Sequence, residues 1–164
     1  MPAVSDTSPL LNLAIVDHLH LLRRQYATLL IPPAVRAELQ VDGQRLGSGR
    51  LRAILDEGWV QVVDLANPQG AAPLRGHVHQ GEAEAITLAL QVGADWLLID
   101  ETDGRALATR LGLRVTGVLG VLLRAHAAGD LAAVAPLLDA LRTEAGFHIA
   151  DRLHQAVLVA AGEA

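Results

Sequence analysis

Apolar positions along this chain alternate between short unbroken runs and longer segments of helical spacing. Residues 96–99 form one such run, and residues 3–5 and 28–31 repeat it on a smaller scale. Runs of this kind are strands buried on both faces, as in a parallel sheet covered by helices. Between them, apolar residues recur at helical spacing: Leu10, Leu11, Leu13, Ala14 and Val16; Leu19, Leu21 and Leu22; Ile86, Leu88, Ala89 and Leu90. Residues 118–127 read as an apolar helix, and residues 134–144 and 150–161 as two amphipathic ones joined through Gly146-Phe147. The order predicts a β-α-β architecture.

Local signals set the boundaries. Ser8 is the predicted N-cap of the first helix, with Pro9 at its first helical position. Pro32-Pro33 stops the second strand, and the second proline opens a helix carrying Val35, Glu38 and Leu39. Residues 43–49, rich in glycine and polar side chains, read as a connection to a helix over 50–57. Residues 59–65 alternate, with Val60, Val63 and Leu65 set against Gln61 and Asp64, and are expected to form an edge strand. Residues 67–73 are expected to form a loop, residues 103–111 a helix and residues 113–115 a last short strand.

With 164 residues, of which 51% are hydrophobic, the chain is long enough for one domain with a full core, expected to span residues 1–164. Aromatic residues are only 2%, so the core is expected to be aliphatic, and a nucleic-acid surface built on aromatic platforms is disfavoured. A formal charge of -5 argues against indiscriminate nucleic-acid binding but leaves room for a local groove. Without cysteine there is no disulfide, thiol nucleophile or thiolate metal site, which fits a cytoplasmic protein. The N-terminal segment lacks the basic-then-apolar pattern of a signal peptide, and no apolar run reaches the ~20 residues of a membrane span.

Acids supply the candidate chemistry. Two predicted strands end directly on an acid, Asp6 and Asp100, while Glu38, Glu82 and Glu84 lie on helices that follow. In a parallel sheet the first two emerge at the same edge, where α/β folds place their ligands. Carboxylates converging there repel unless a divalent cation neutralises them, and an all-oxygen set suits Mg²⁺ or Mn²⁺. Such a site can activate water and stabilise charge on a phosphodiester. Glu101, Asp103 and Arg105 follow Asp100 closely. The pairs His18-x-His20 and His77-x-His79 have metal-like spacing but lie in no predicted strand, so they are not counted with the acids.

In order and spacing, these segments resemble the PIN-domain nucleases, and more closely the PIN-like branch among bacterial and archaeal toxin-antitoxin toxins. The resemblance rests on Asp6-Thr7-Ser8-Pro9-Leu10, Ile31-Pro32-Pro33-Ala34-Val35 with Glu38-Leu39, Gly81-Glu82-Ala83-Glu84-Ala85-Ile86, and Leu98-Ile99-Asp100-Glu101 with Gly104-Arg105. Val115-Thr116-Gly117 with Leu119-Gly120-Val121-Leu122, and the terminal Gly146-Phe147-His148-Ile149, extend it over nearly the whole chain. It implies a three-layer α/β/α sandwich around a central, mainly parallel sheet. It also implies a metal-dependent ribonuclease using Mg²⁺ or Mn²⁺, acting on RNA as the toxin of a toxin-antitoxin pair. A small antitoxin protein and a homodimer are the implied partners, with no membrane association.

Carried over by position, the resemblance makes Asp6 the first metal-site acid with Ser8 as its hydrogen-bonding neighbour, Glu38 the second and Asp100 the fourth. Glu84 is favoured as the third and catalytic acid because Glu84-Ala85-Ile86 matches the family's acid-Ala-apolar pattern, with Glu82 as the alternative. Glu101 and Asp103 are expected to support the site, and Arg105 to contact substrate phosphate or pair with a neighbouring acid. The family's Thr-x-Asp approach to the fourth acid is replaced by Leu98-Ile99-Asp100. That departure, with Glu in place of the commoner Asp at the third position, keeps a catalytically inactive PIN-like binding or assembly module open as the alternative.

Overall fold

A computed structural model describes residues 2–164. Its centre is a five-stranded sheet, every strand parallel, built from β1 (Ala3–Ser5), β2 (Leu29–Ile31), β3 (Val60–Val62), β4 (Trp96–Leu98) and β5 (Val115–Thr116) in the spatial order β3-β2-β1-β4-β5. Successive residues of β1 are all buried, which is possible only where both faces of the sheet are covered. Helices provide that cover: α1 (Thr7–Ile15), α2 (His20–Gln25), α3 (Pro33–Leu39), α4 (Ser48–Asp56), α5 (Gln80–Val92), α6 (Thr102–Arg110), α7 (Val118–Ala127), α8 (Ala135–Thr143) and α9 (Asp151–Ala160). The arrangement is the α/β/α sandwich expected from the sequence, and its core is mainly aliphatic, with Leu10, Leu13, Leu29, Ile31, Ile86, Leu97 and Leu98 fully buried and Tyr26 and Trp59 buried among such residues.

The strand order decides where a ligand can bind. The chain steps outward from β1 to β2 and β3, then returns to lay β4 on the other side of β1. A crevice opens where the direction reverses, beyond the carboxyl ends of β1 and β4. The Asp6 amide donates to the Leu98 carbonyl at 2.8 Å, tying the two strands together at that point.

Several boundaries differ from the sequence reading. Asp6, not Ser8, occupies the N-cap position of α1 and makes no capping bond with its side chain, while Ser8 and Pro9 lie inside the first turn. Proline fits there because the first amides of a helix have no intrahelical acceptor in any case. Residues 67–73 are not an open loop; Pro68–Gly76 forms a 3₁₀ helix, in which Ala71 is buried. The edge strand β3 is shorter than its alternating pattern, and β5 begins two residues later than residues 113–115 predict. Among the described residues, no helix is long and apolar enough to cross a membrane.

Candidate active site

Asp6 leaves β1 into the crevice and is 4% exposed. Its Oδ1 is buried and has no hydrogen-bond partner among the described residues. Burial is the main reason that its pKa rises from 3.8 to about 7; the Thr7 amide opposes the rise, while Glu82, Glu38 and Asp100 add repulsion. Four acids that are distant in sequence therefore act on one another electrostatically here.

Each of the others is held by a particular element. Glu38, exposed on α3, accepts from Thr7 Oγ1 at 2.5 Å and from the Gly81 amide at 3.1 Å, so it bridges the first turns of α1 and α5. Glu82 is buried in the first turn of α5, and its pKa is raised by burial and by Glu101 and Glu38, against the opposing pull of His79. Asp100, which follows β4, accepts from the Val118 amide at the start of α7 at 2.8 Å and from Ser8 Oγ at 3.0 Å. Burial still raises its pKa, although Val118, Ser8 and Arg105 all work against the rise.

One cavity is lined by Asp6, Ser8, Glu38, His79, Glu82 and Glu101. A neighbouring cavity shares His79, Glu82 and Glu101 and adds Arg75 and Asp103. Glu84, the acid favoured for the third position, lies apart from this cluster. Its Oε1 accepts from the Ala34 amide in the first turn of α3 at 3.1 Å, its Oε2 from Gln80 at 3.3 Å, and Arg75 stands 4.0 Å away. Glu82, its alternative, is the member of the pair beside Asp6. Asp103 is exposed on the outer rim, and Arg105 is half-buried, donating to the Ile99 carbonyl at 2.9 Å next to Asp100.

Sequence reasoning missed the supports of the site. Thr7 and the Gly81 amide fix Glu38, and Asn12 donates to Ser8 Oγ at 2.9 Å from one helical turn away, a spacing that could have been read from the sequence. His79, at the N-cap position of α5, borders both acidic cavities. Three glycines leave room for acids. A Cβ at Gly81 would meet the Glu38 carboxylate, one at Gly104 would come within 2.5 Å of Glu82 Oε2, and one at Gly117 would meet Asp100 Oδ1.

The donor chemistry fits a hard divalent cation: carboxylate oxygens predominate, with the His79 imidazole and the Ser8 hydroxyl alongside, several of the acids have their ionisation opposed by burial and mutual repulsion, and Asp6 has a buried oxygen without a partner. As the side chains stand, no three acids or histidines among the described residues form a closed cage for an ion. An ion held here would therefore draw some of its ligands from water or substrate, as magnesium commonly does.

The chain belongs to the PIN domain family: the DUF3368 family, described as a PIN domain, matches residues 2–163. No curated protein matches it. PIN domains are generally nucleases, and they typically use divalent metals.

Proposed function

We propose that this protein is a metal-dependent ribonuclease that hydrolyses RNA phosphodiester bonds, and that it is the toxin of a type II toxin-antitoxin pair. The observation that carries the first part is Asp6, which is buried at the β1/β4 crevice with an unpartnered oxygen and a pKa of about 7 raised in part by Glu82, Glu38 and Asp100. Burying an acid among acids costs stability, and a fold keeps such a cluster where a cation or a reaction uses it.

Asp6, Glu82, Asp100 and Glu38 would hold Mg²⁺ or Mn²⁺. When bound, the ion supplies Lewis acidity and a water of lowered pKa. The chain's own contribution is positional. Ser8 and the Val118 amide orient Asp100, Thr7 and the Gly81 amide orient Glu38, and the tie from Asp6 to Leu98 sets the spacing of the two strand ends. Arg105, beside Asp100, is available to a substrate phosphate. Glu101 and Asp103 extend the acidic rim. Cleavage in the family's manner would leave a 5′-phosphate and a 3′-hydroxyl.

The direct test incubates the purified chain with RNA and Mg²⁺ or Mn²⁺, with and without chelator, beside Asp6→Asn. Cleavage that survives both chelator and the substitution rejects the reading. The toxin role predicts growth arrest on expression, relieved by a small partner protein. Val159 of α9, exposed at 62%, offers apolar surface for that partner or for a homodimer.

The Leu98-Ile99 approach to Asp100, which lacks the hydroxyl the family usually carries there, favours a second reading, an inactive PIN module kept for binding or assembly. Calorimetric titration with Mn²⁺ separates the two, because an inactive module should take up the ion weakly or not at all.

A further inference from the structure

A cavity of about 880 Å³ opens beside Asp100 and is lined in part by Ser8. It shares Ser8, Asn12 and Glu101 with the Asp6 crevice, so the two adjoin. Its lining also includes Leu119, Phe147, His148 and Leu153. We infer that this cleft is a subsite for one unpaired nucleobase of a single-stranded nucleic acid, which lies against Phe147 while the adjoining phosphate sits at the acids. The inference rests on the nuclease reading for what lies at the acids.

Phe147 is the only phenylalanine in the chain, and it lies half-buried in the lining of this cleft, packed against the edge of a core in which Tyr26 and Trp59 are buried. The anchoring role in its segment falls to Ile149, which is 3% exposed. The segment is fastened at both ends. The Phe147 amide donates to the Leu141 carbonyl at 2.9 Å, Arg142 Nη2 donates to the Ile149 carbonyl at 2.8 Å, and Arg142 pairs with Asp151 at 3.5 Å. The ring is thus presented from a fixed backbone, with little freedom for a ligand to freeze out.

The lining matches a base in kind. Leu119, Phe147 and Leu153 offer apolar surface to its flat faces, while the exposed His148 offers a polar group to its edge. The volume lies within the range of pockets that enclose small ligands, roughly 300–1,000 Å³. A base inside a duplex is stacked and paired, and entering this cleft would require it to be extruded first. The subsite therefore selects single strands, with one ring rather than an aromatic platform, in keeping with a chain so poor in aromatic residues.

Two measurements on the full chain test this, using a fluorescent, unstructured hexaribonucleotide. Its cleavage is followed with Mn²⁺, and its binding by anisotropy with Ca²⁺ in place of Mn²⁺ to suppress turnover. Phe147→Leu keeps apolar bulk and removes the ring, Phe147→Trp keeps a ring, and thermal melting checks that both remain folded. Phe147→Leu should weaken binding and raise KM by about tenfold with kcat within about threefold of wild type, and Phe147→Trp should restore both. The same oligomer annealed to its complement should bind the wild type about tenfold more weakly or worse. If the wild type cleaves RNA and Phe147→Leu, with an unchanged melting temperature, binds and cleaves equally well, the subsite is overturned while the nuclease reading stands. If no divalent ion supports cleavage, the nuclease reading fails separately and the Ca²⁺ titrations decide the subsite. Binding that ignores Phe147→Leu, binding equal for strand and duplex, or no binding at all overturns it.

Discussion

Ser8 Oγ donates to Asp100 Oδ2 at 3.0 Å, joining the first turn of α1 to the residue that follows β4 across 92 positions of sequence. That bond favours the ionised carboxylate, as does the Val118 amide on the other oxygen, and together they oppose the rise in pKa that burial imposes on Asp100. Removing it with Ser8→Ala should shift the acid limb of a pH-rate profile to higher pH. It should also cost about 1 kcal/mol of stability, the usual net value of a hydrogen bond. A profile that keeps its acid limb unmoved would separate Ser8 from the titration of the site.

Asp6 titrates at about 7 in the folded chain and near 3.8 when exposed. Between those values the unfolded state has released a proton that the folded state still holds, so stability falls as pH rises from about 4 through 7 and stays reduced above. Asp6→Asn removes this penalty. The metal-free variant should melt at a higher temperature than wild type at pH 8, by an amount worth roughly 1–4 kcal/mol, and the gain should vanish near pH 4. For the same reason Mn²⁺ should raise the wild-type melting temperature more at pH 8 than at pH 5.5. Scanning calorimetry across pH checks both.

Glu82 and Glu84 should separate cleanly. Glu82→Gln should weaken Mn²⁺ binding in a calorimetric titration by tenfold or more, with little loss of stability, because it replaces a buried acid of raised pKa. Glu84→Ala should leave ion affinity within about threefold of wild type and cost about 1 kcal/mol, since it removes the acceptor for the Ala34 amide in the first turn of α3. The opposite pattern would return Glu84 to the third position of the site.

Alanine usually improves a helix interior over glycine by about 1 kcal/mol. At Gly104, inside α6, the sign should reverse, because the new Cβ would stand 2.5 Å from Glu82 Oε2 and 2.6 Å from Ile99 Cδ1. Gly104→Ala is expected to cost about 1–3 kcal/mol by overpacking and to displace Glu82 from the crevice. Melting curves and Mn²⁺ titrations of the same variant read the two effects. A stabilised Gly104→Ala would mean that the acid moves aside freely.

The apolar runs carried most of the fold on their own. A run such as Trp96–Leu98 can satisfy its side chains only between two helical layers, and such runs alternating with helical periodicity leave a parallel sheet as the economical solution. The helix Val118–Ala127 has the bounds its sequence predicts, since Gly117 and Gly129 stand just outside both ends. Strand ends delivering Asp6 and Asp100 to one edge were likewise readable, because parallel strands share a direction. What local pattern did not contain was which way each acid turns. Glu82 and Glu84 lie two residues apart in one helical turn, about 200° around the axis, so both cannot face Asp6. Only the packing of α5 against α3 turned Glu82 toward the crevice and gave Glu84 to the Ala34 amide. The supports from Thr7, Asn12 and Val118, the room left at Gly81, Gly104 and Gly117, and the cleft under Phe147 are all contacts between elements far apart in sequence. One-dimensional periodicity records which residues are buried, but not what they are buried against.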